Sequence, residues 1–431
     1  MRVYHGNMYW IGFDIGSSSI KVALINADNG SPIDMVQYPE KEMSIASAQS
    51  GWAEQDPQRW WQNLCKTTQN LISKSNINKS EIKGIGISYQ MHGLVIVDKK
   101  LEPIRPSIIW CDSRAVETGE QLFHNAGEEK CIDHLLNAPG NFTLSKLKWV
   151  KDNEPENYQN IYKFMLPGDY IALRLSGECT TTPSGLSEGI LWDFKENQIA
   201  KWLLEETGID SSLVPEIRPS FSEQGRVSKK GAEESGLPEG IPIMYRAGDQ
   251  PNNALALNVM EPGQIAATGG TSGVVYAISG QQRTQEHTRI NSFAHVNHSK
   301  DATRIGKLLC INGTGIQYSW MKNELTDGLS YNDMNQMAEK VTIGSDGLSI
   351  LPFGNGAERM LENRGKGSRI LNLNFNIHKK SHLFRAALEG IAFAFVHGME
   401  ILQNDGVDIS SIKAGNDNLF RAGIFSKTVA T

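Results

Sequence analysis

The chain has 431 residues, enough for two domains with separate cores, because single cores seldom grow past roughly 250–300 residues. Charged residues make up 21%, hydrophobic residues 39%, and the formal net charge is −6, a balance that argues against a disordered chain, a membrane protein or a nucleic-acid binder. Cys65, Cys111, Cys131, Cys179 and Cys310 are widely spaced, form neither a disulfide framework nor a CxxC metal motif, and point to a reducing, cytoplasmic compartment.

Residues 8–13 are apolar and predict a buried strand, 14–19 a turn, and 20–25 a second strand. This hairpin speaks against a dinucleotide fingerprint, which needs a strand, a turn and a helix. Gly16 permits close backbone approach, the hydroxyls and amides of Ser17 and Ser18 suit phosphate oxygens, and the Asp14 carboxylate suits a neighbouring cation or water. Taken alone, the same residues also make a plain tight turn. Asp56-Pro57 predicts a helix start, with Trp60, Trp61, Leu64, Thr68 and Leu71 repeating along a core face.

Residues 81–88 and 94–97 read as strands, leaving Gln90, Met91 and His92 at a strand end where polar groups face a crevice more often than a core. Gln90 and His92 are candidates for a polyhydroxylated substrate, although a lone histidine is as readily structural. After a strand at 107–109 comes Trp110, with Asp112 and Arg114 either forking around sugar hydroxyls or pairing to lock a loop. Residues 167–170 mark a strand-to-helix junction, and 185–189 carry the composition of a loop.

The most chemical stretch follows a strand at 241–245. Asp249 and Gln250 open a helix, where a carboxylate can accept a proton from an attacking hydroxyl and the positive helix end helps keep it ionised. Asp249 is the candidate catalytic base; its bland role is an N-cap. The strand-turn-strand 264–277 then offers Gly270 and Thr271 to the terminal phosphates of a nucleotide. Gly313 and Thr314 precede an amphipathic helix bearing Ile316, Trp320 and Met321, a long core helix starts near residue 381, and Gly415 and Asn416 can pack against adenine and ribose.

Several pieces together carry a resemblance: Phe13-Asp14-Ile15-Gly16-Ser17-Ser18-Ser19, Trp52 to Pro57 followed by Trp60-Trp61, Gln90 to Gly93, Trp110 to Arg114, Gly248-Asp249-Gln250 and Gly269 to Gly273. The chain resembles the carbohydrate kinases of the FGGY family over essentially its whole length. That resemblance implies an α/β protein with two ribonuclease H-like domains of the actin and hexokinase type around a central cleft, a sugar-binding domain at 1–246 and a nucleotide-binding domain at 247–431. It implies ATP with Mg2+, an aspartate base at Asp249, and ketose contacts at Met91, His92 and Asp249, with Asp14 near the metal and Thr271 near the terminal phosphates.

The candidate site as a whole adds Gln90, Trp110, Asp112, Arg114 and Gln250 on the sugar side, Ser17, Ser18, Lys21, Gly313, Thr314, Gly415 and Asn416 on the nucleotide side, and Asp14 and Asp249 for the metal. The implied reaction is phosphorylation of D-xylulose to D-xylulose 5-phosphate. The alternatives are another polyol (ribulose, glycerol or gluconate) or a sugar or nucleotide sensor without catalysis. Gly248-Asp249-Gln250 departs from the Gly-Asp-Asn of xylulose-phosphorylating members and matches a form found in glycerol kinases. Residues 413–417 are poorer in glycine than the family's adenine turn, and the chain stops short of the family's final helices, so a shortened nucleotide domain with weakened ATP binding is expected. Partners are a small ketose and MgATP, with a homodimer left open and no nucleic acid or membrane.

Overall fold

The computed structural model of the chain describes residues 8–416 and 418–431. It divides into two compact units: one runs to Asn252 and takes in Ala294–Lys300, and the other holds Asn253–Phe293 and Asp301–Thr431. Asp249 and Gln250 thus belong with the first unit.

The first unit is built on strands β1 (Tyr9–Ile15), β2 (Ile20–Asn26) and β3 (Pro32–Tyr38), helix α1 (Pro57–Ser75), strand β4 (Ile82–Tyr89), helices α2 (Thr143–Asn153), α3 (Pro167–Ser176) and α4 (Pro183–Glu188), strand β5 (Ile243–Gly248) and helix α5 (Asp249–Ala256). Its sheet order is β5-β4-β1-β2-β3. Tyr9, Ile11, Phe13 and Ile15 alternate inward along β1, the period-2 pattern of a strand with one face in the core. Helix α1 starts where the sequence places it: the Asp56 side chain accepts from the Gln58 N–H, Pro57 occupies the first turn, and the two tryptophans, Leu64, Thr68 and Leu71 are buried.

Strands β1, β4 and β5 run parallel, and Ile15 and Gly248 are both register partners of Tyr89. Their C-terminal ends therefore share one edge, from which Gly16–Ser19, Gln90–Gly93 and Asp249 all emerge. That is where α/β sheets present ligand-binding groups.

The stretch 185–189 is not a loop. Thr182 caps α4 through the Gly185 N–H, Pro183 starts it, and the helix runs to Glu188. The glycine serves packing instead of turning, since a Cβ on Gly185 would stand 2.8 Å from Leu166 Cδ1 and 3.3 Å from the Tyr89 hydroxyl. Segment Ala294–Lys300 is tied to α4, with the Ser184 hydroxyl donating to the Ala294 carbonyl at 3.1 Å and the Ala294 N–H to Ser187 Oγ at 2.8 Å.

The second unit contains strands β6 (Gln264–Gly269), β7 (Gly273–Ser279), β8 (Asn291–Ala294) and β9 (Ile305–Ile311), helices α6 (Gly315–Leu325), α7 (Tyr331–Glu339) and α8 (Lys380–Asn404), strand β10 (Ser411–Ala414) and helix α9 (Gly423–Ala430). Its order is β8-β9-β7-β6-β10. The two units repeat one topology. In the first, the β1–β2 hairpin continues antiparallel to β3 while β4 returns parallel to β1; in the second, the β6–β7 hairpin continues antiparallel to β9 while β10 returns parallel to β6. The two glycine-bearing turns of the sequence are thus the same hairpin turn in two copies. Helix α8 buries Phe384, Ala387, Ile391, Phe395 and Leu402 against the second sheet. Among the described residues no helix is long and apolar enough to cross a membrane.

Candidate active site

The strand edge of the first unit gathers acids. Asp14, near the end of β1, sits opposite Lys21 in the β1–β2 register and accepts from its Nζ at 3.0 Å. Asp249 heads α5. Burial pushes its carboxyl up to about 6, the negative charge of Asp14 adds to the rise, and hydrogen bonds from the Gln250 backbone and side chain oppose it. Glu188, at the end of α4, is 1% exposed, and burial first, then the charges of Asp249 and Asp169, hold its carboxyl well above the usual carboxylate range. A Cβ on Gly248 would lie 2.5 Å from Glu188 Oε2 and 2.5 Å from Met91 Cγ, so only glycine lets these side chains meet next to Asp249.

The turn after β4 is shaped for the same edge. Gln90 is 4% exposed, and neither its amide nitrogen nor its oxygen has a hydrogen-bond partner within the protein. Met91 is buried, and His92 adopts a left-handed backbone at φ 61°. The His92 ring is fixed by Nδ1 at 3.0 Å from the Glu188 carbonyl and by an edge-on contact with Phe142 at 4.7 Å.

Trp110 is 53% exposed, and its Nε1 lies 3.4 Å from Ser17 Oγ, so the 110 loop reaches the first hairpin turn. Asp112 and Arg114 have the geometry of the locked loop, one of the two readings left open by the sequence. Asp112 is fully buried and accepts from the Ala53 N–H at 2.5 Å and from Arg114 Nη2 at 2.7 Å. Arg114 also pairs with Glu54 at 2.7 Å and lies 3.7 Å over the Trp52 ring. Both charges are spent inside the protein, which leaves neither to a sugar.

In the second unit a cavity of about 700 Å³ is lined by Gly269, Gly270, Thr271, Gly315, Tyr318, Tyr331, Asn418 and Arg421, among others. Its floor is the β6–β7 turn tied to the start of α6: Gly315 and Ile316 N–H groups donate to the carbonyls of Gly270 and Thr271, each at 3.1 Å. The expected nucleotide contacts split here. Gly270 and Thr271 line the cavity, whereas the buried Thr314 spends its hydroxyl on the Gly270 and Thr271 carbonyls at 3.2 and 3.1 Å. Gly313 packs under Pro352, where a Cβ would be 1.8 Å from a carbonyl oxygen. Gly415 and Asn416 are outside the lining, and Asn418 and Arg421 a few residues later are in it. Trp320 of α6, expected with Met321 on a buried face, is exposed.

Sequence reasoning also missed Glu188, which stood inside the presumed loop, and Lys146, one of three lysines on α2. Neither carries a local signal until burial is known. Asp14 and Asp249 fit a hard divalent cation, since Asp249 feels the charge of Asp14 and carboxylates with phosphate and water as remaining ligands suit Mg2+. Among the described residues no cluster of three His, Cys, Asp or Glu forms a closed protein cage.

Two copies of one hairpin-bearing α/β unit, an acid-lined strand edge in one and a glycine-turned cavity in the other, define an enzyme that moves phosphate onto a hydroxyl compound. The chain belongs to the FGGY family of carbohydrate kinases, whose N-terminal domain matches residues 9–256. It is similar to the xylulose kinase of Staphylococcus xylosus, 28% identical over 98% of this chain and 87% of the relative. Similarity to the xylulose kinase of Bacillus subtilis (strain 168) is 27%, over 94% of this chain and 79% of the relative. The crystal structure of xylulose kinase from Rhodospirillum rubrum superposes with a TM-score of 0.85 at 25% identity, covering 97% of this chain and 84% of that one. The protein is therefore a carbohydrate kinase, and kinases of this family use ATP.

Proposed function

We propose that this kinase phosphorylates D-xylulose to D-xylulose 5-phosphate, feeding pentose metabolism, with ATP as donor and Asp249 as general base. The observation that carries the reading is a half-buried carboxylate at the head of α5, on the same strand edge as the Gln90–His92 turn. The xylulose kinase relatives support the choice of sugar. In the proposed step Asp249 takes the proton of the O5 hydroxyl as that oxygen bonds to the γ-phosphorus, and the bond from phosphorus to the bridging oxygen breaks to leave ADP. With its carboxyl at about 6, Asp249 is ionised at neutral pH yet more basic than an ordinary aspartate. Gln250 steadies it, and the free amide of Gln90, with Met91 and His92, orients the polyol. Asp112 and Arg114 shape the loop that presents Trp110. Gly270 and Thr271 take the terminal phosphates, and Mg2+ held by Asp14 and Asp249 would supply positive charge to the phosphoryl group.

The test is ADP release with MgATP across D-xylulose, D-ribulose, L-ribulose, glycerol, D-gluconate and no sugar. Preference for D-xylulose is expected. Preference for glycerol would instead follow the Gly248-Asp249-Gln250 sequence and overturn the assigned sugar, while sugar binding without ADP release would overturn catalysis by this chain.

A further inference from the structure

Lys146 stands on α2 with its side chain wholly buried. Its ammonium donates to two carbonyls, His92 at 2.8 Å and Ile109 at 3.0 Å. One belongs to the turn after β4, and the other immediately precedes Trp110. These two loops are far apart in sequence and contribute separate contacts to the proposed sugar site. The start of the same helix adds a second tie, with Thr143 Oγ1 donating to the Gly93 carbonyl at 3.3 Å, while the Asn141 side-chain amide donates to the Asp112 carbonyl.

The charge is supported where it sits. Burial pulls the Lys146 ammonium down to about 7, and the buried Asp112 carboxylate pulls it back up. The His92 carbonyl is presented by a left-handed residue, so the turn has an unusual backbone that depends on its surroundings to persist. A buried lysine spent on two loop carbonyls, where an apolar side chain would fill a core, has a positional meaning.

We propose that Lys146 is a positioning residue for the sugar: it clips the Gln90–His92 turn and the Trp110 loop together so that both meet the substrate at once. The proposal rests on the reading that these loops hold the sugar. Lys146→Met keeps the length and apolar stem and removes the ammonium that links the two carbonyls, leaving the Ile109 carbonyl its weaker bond from the Asp112 N–H at 3.2 Å. The expected result is a rise of about tenfold or more in the KM for the sugar the wild type prefers, with kcat and the KM for ATP each within about twofold. Lys146→Gln, which keeps an uncharged amide donor on a shorter side chain, is expected to fall between.

A folded Lys146→Met with wild-type sugar KM overturns the role, as does an equal loss in both substrates' KM, which would mark a general folding defect. If neither variant folds, hydrogen exchange of the wild type decides: sugar must slow exchange in residues 90–94 and 109–114 together, and a response in one loop alone overturns the clip. A wild type that turns over no sugar would defeat the proposed function instead, a failure visible before any variant is made.

Discussion

As the proposed base, Asp249 faces two opposed demands, since burial makes it basic enough to take a proton and also makes its charged form costly. Asp249→Ala is expected to lower kcat by roughly 100-fold or more, with little change in sugar affinity, in a steady-state assay. In wild type, kcat/KM should fall as pH drops through about 6, because the base must be ionised. Asp14→Asn removes the negative charge that helps hold that carboxyl up, so the acid limb should move to lower pH in the same profile. The stability sign runs the other way from the rate. The folded carboxyl titrates near 6 against an ordinary 3.8, so its stabilising contribution is full below the lower value and is lost as pH rises through the upper one. Asp249→Asn should therefore melt higher than wild type at neutral pH, by up to about 3 kcal/mol, while being catalytically poor. The place of Asp249 between a strand and a helix start was legible, because strand pattern and helix start are both local signals. Glu188 and Lys146 were not, since their significance lies in burial and in partners distant in the chain.

Local chemistry decided which elements could be read. Asp56-Pro57 before a tryptophan-rich repeat specifies α1 by capping and periodicity together. Helix α4 has no long repeat and opens on Pro183-Ser184-Gly185, and its glycine reports the closeness of Leu166 and Tyr89, a contact invisible in sequence. The join between the β6–β7 turn and α6 shows the same dependence on close approach: a Cβ on Gly315 would stand 2.3 Å from the Gly270 carbonyl oxygen. Gly315→Ala should thus displace the cavity floor and weaken ATP binding in titration calorimetry, leaving sugar binding intact. Helix α8 is followed by its C-cap Asp405, which pairs with Lys307 of β9 at 2.7 Å with both side chains fully buried and also accepts from the Glu286 N–H at 3.0 Å. Asp405→Ala strands a buried ammonium and should cost about 3–5 kcal/mol in denaturant unfolding.

Across the whole chain, the sequence offered two phosphate-suited turns but not the fact that they are one turn repeated. Strand order depends on pairings such as β1 with β4 and β6 with β10, and these join segments that no local pattern links. In the proposed function each unit serves its own ligand. Sugar is expected to slow amide exchange around residues 90–94 in the first unit, and ADP around 270–271 and 315–316 in the second, each without the other present.

The thread Ala294–Lys300 gives the gene a different partition from the protein. A coding fragment stopped after residue 252 would translate nearly all of the first unit and omit the piece that accepts from the Ser184 hydroxyl and donates to that of Ser187. Exchanging that unit between homologues consequently takes a double crossover, and a split reporter or chimera cut once at the apparent boundary inherits mismatched pairing around α4.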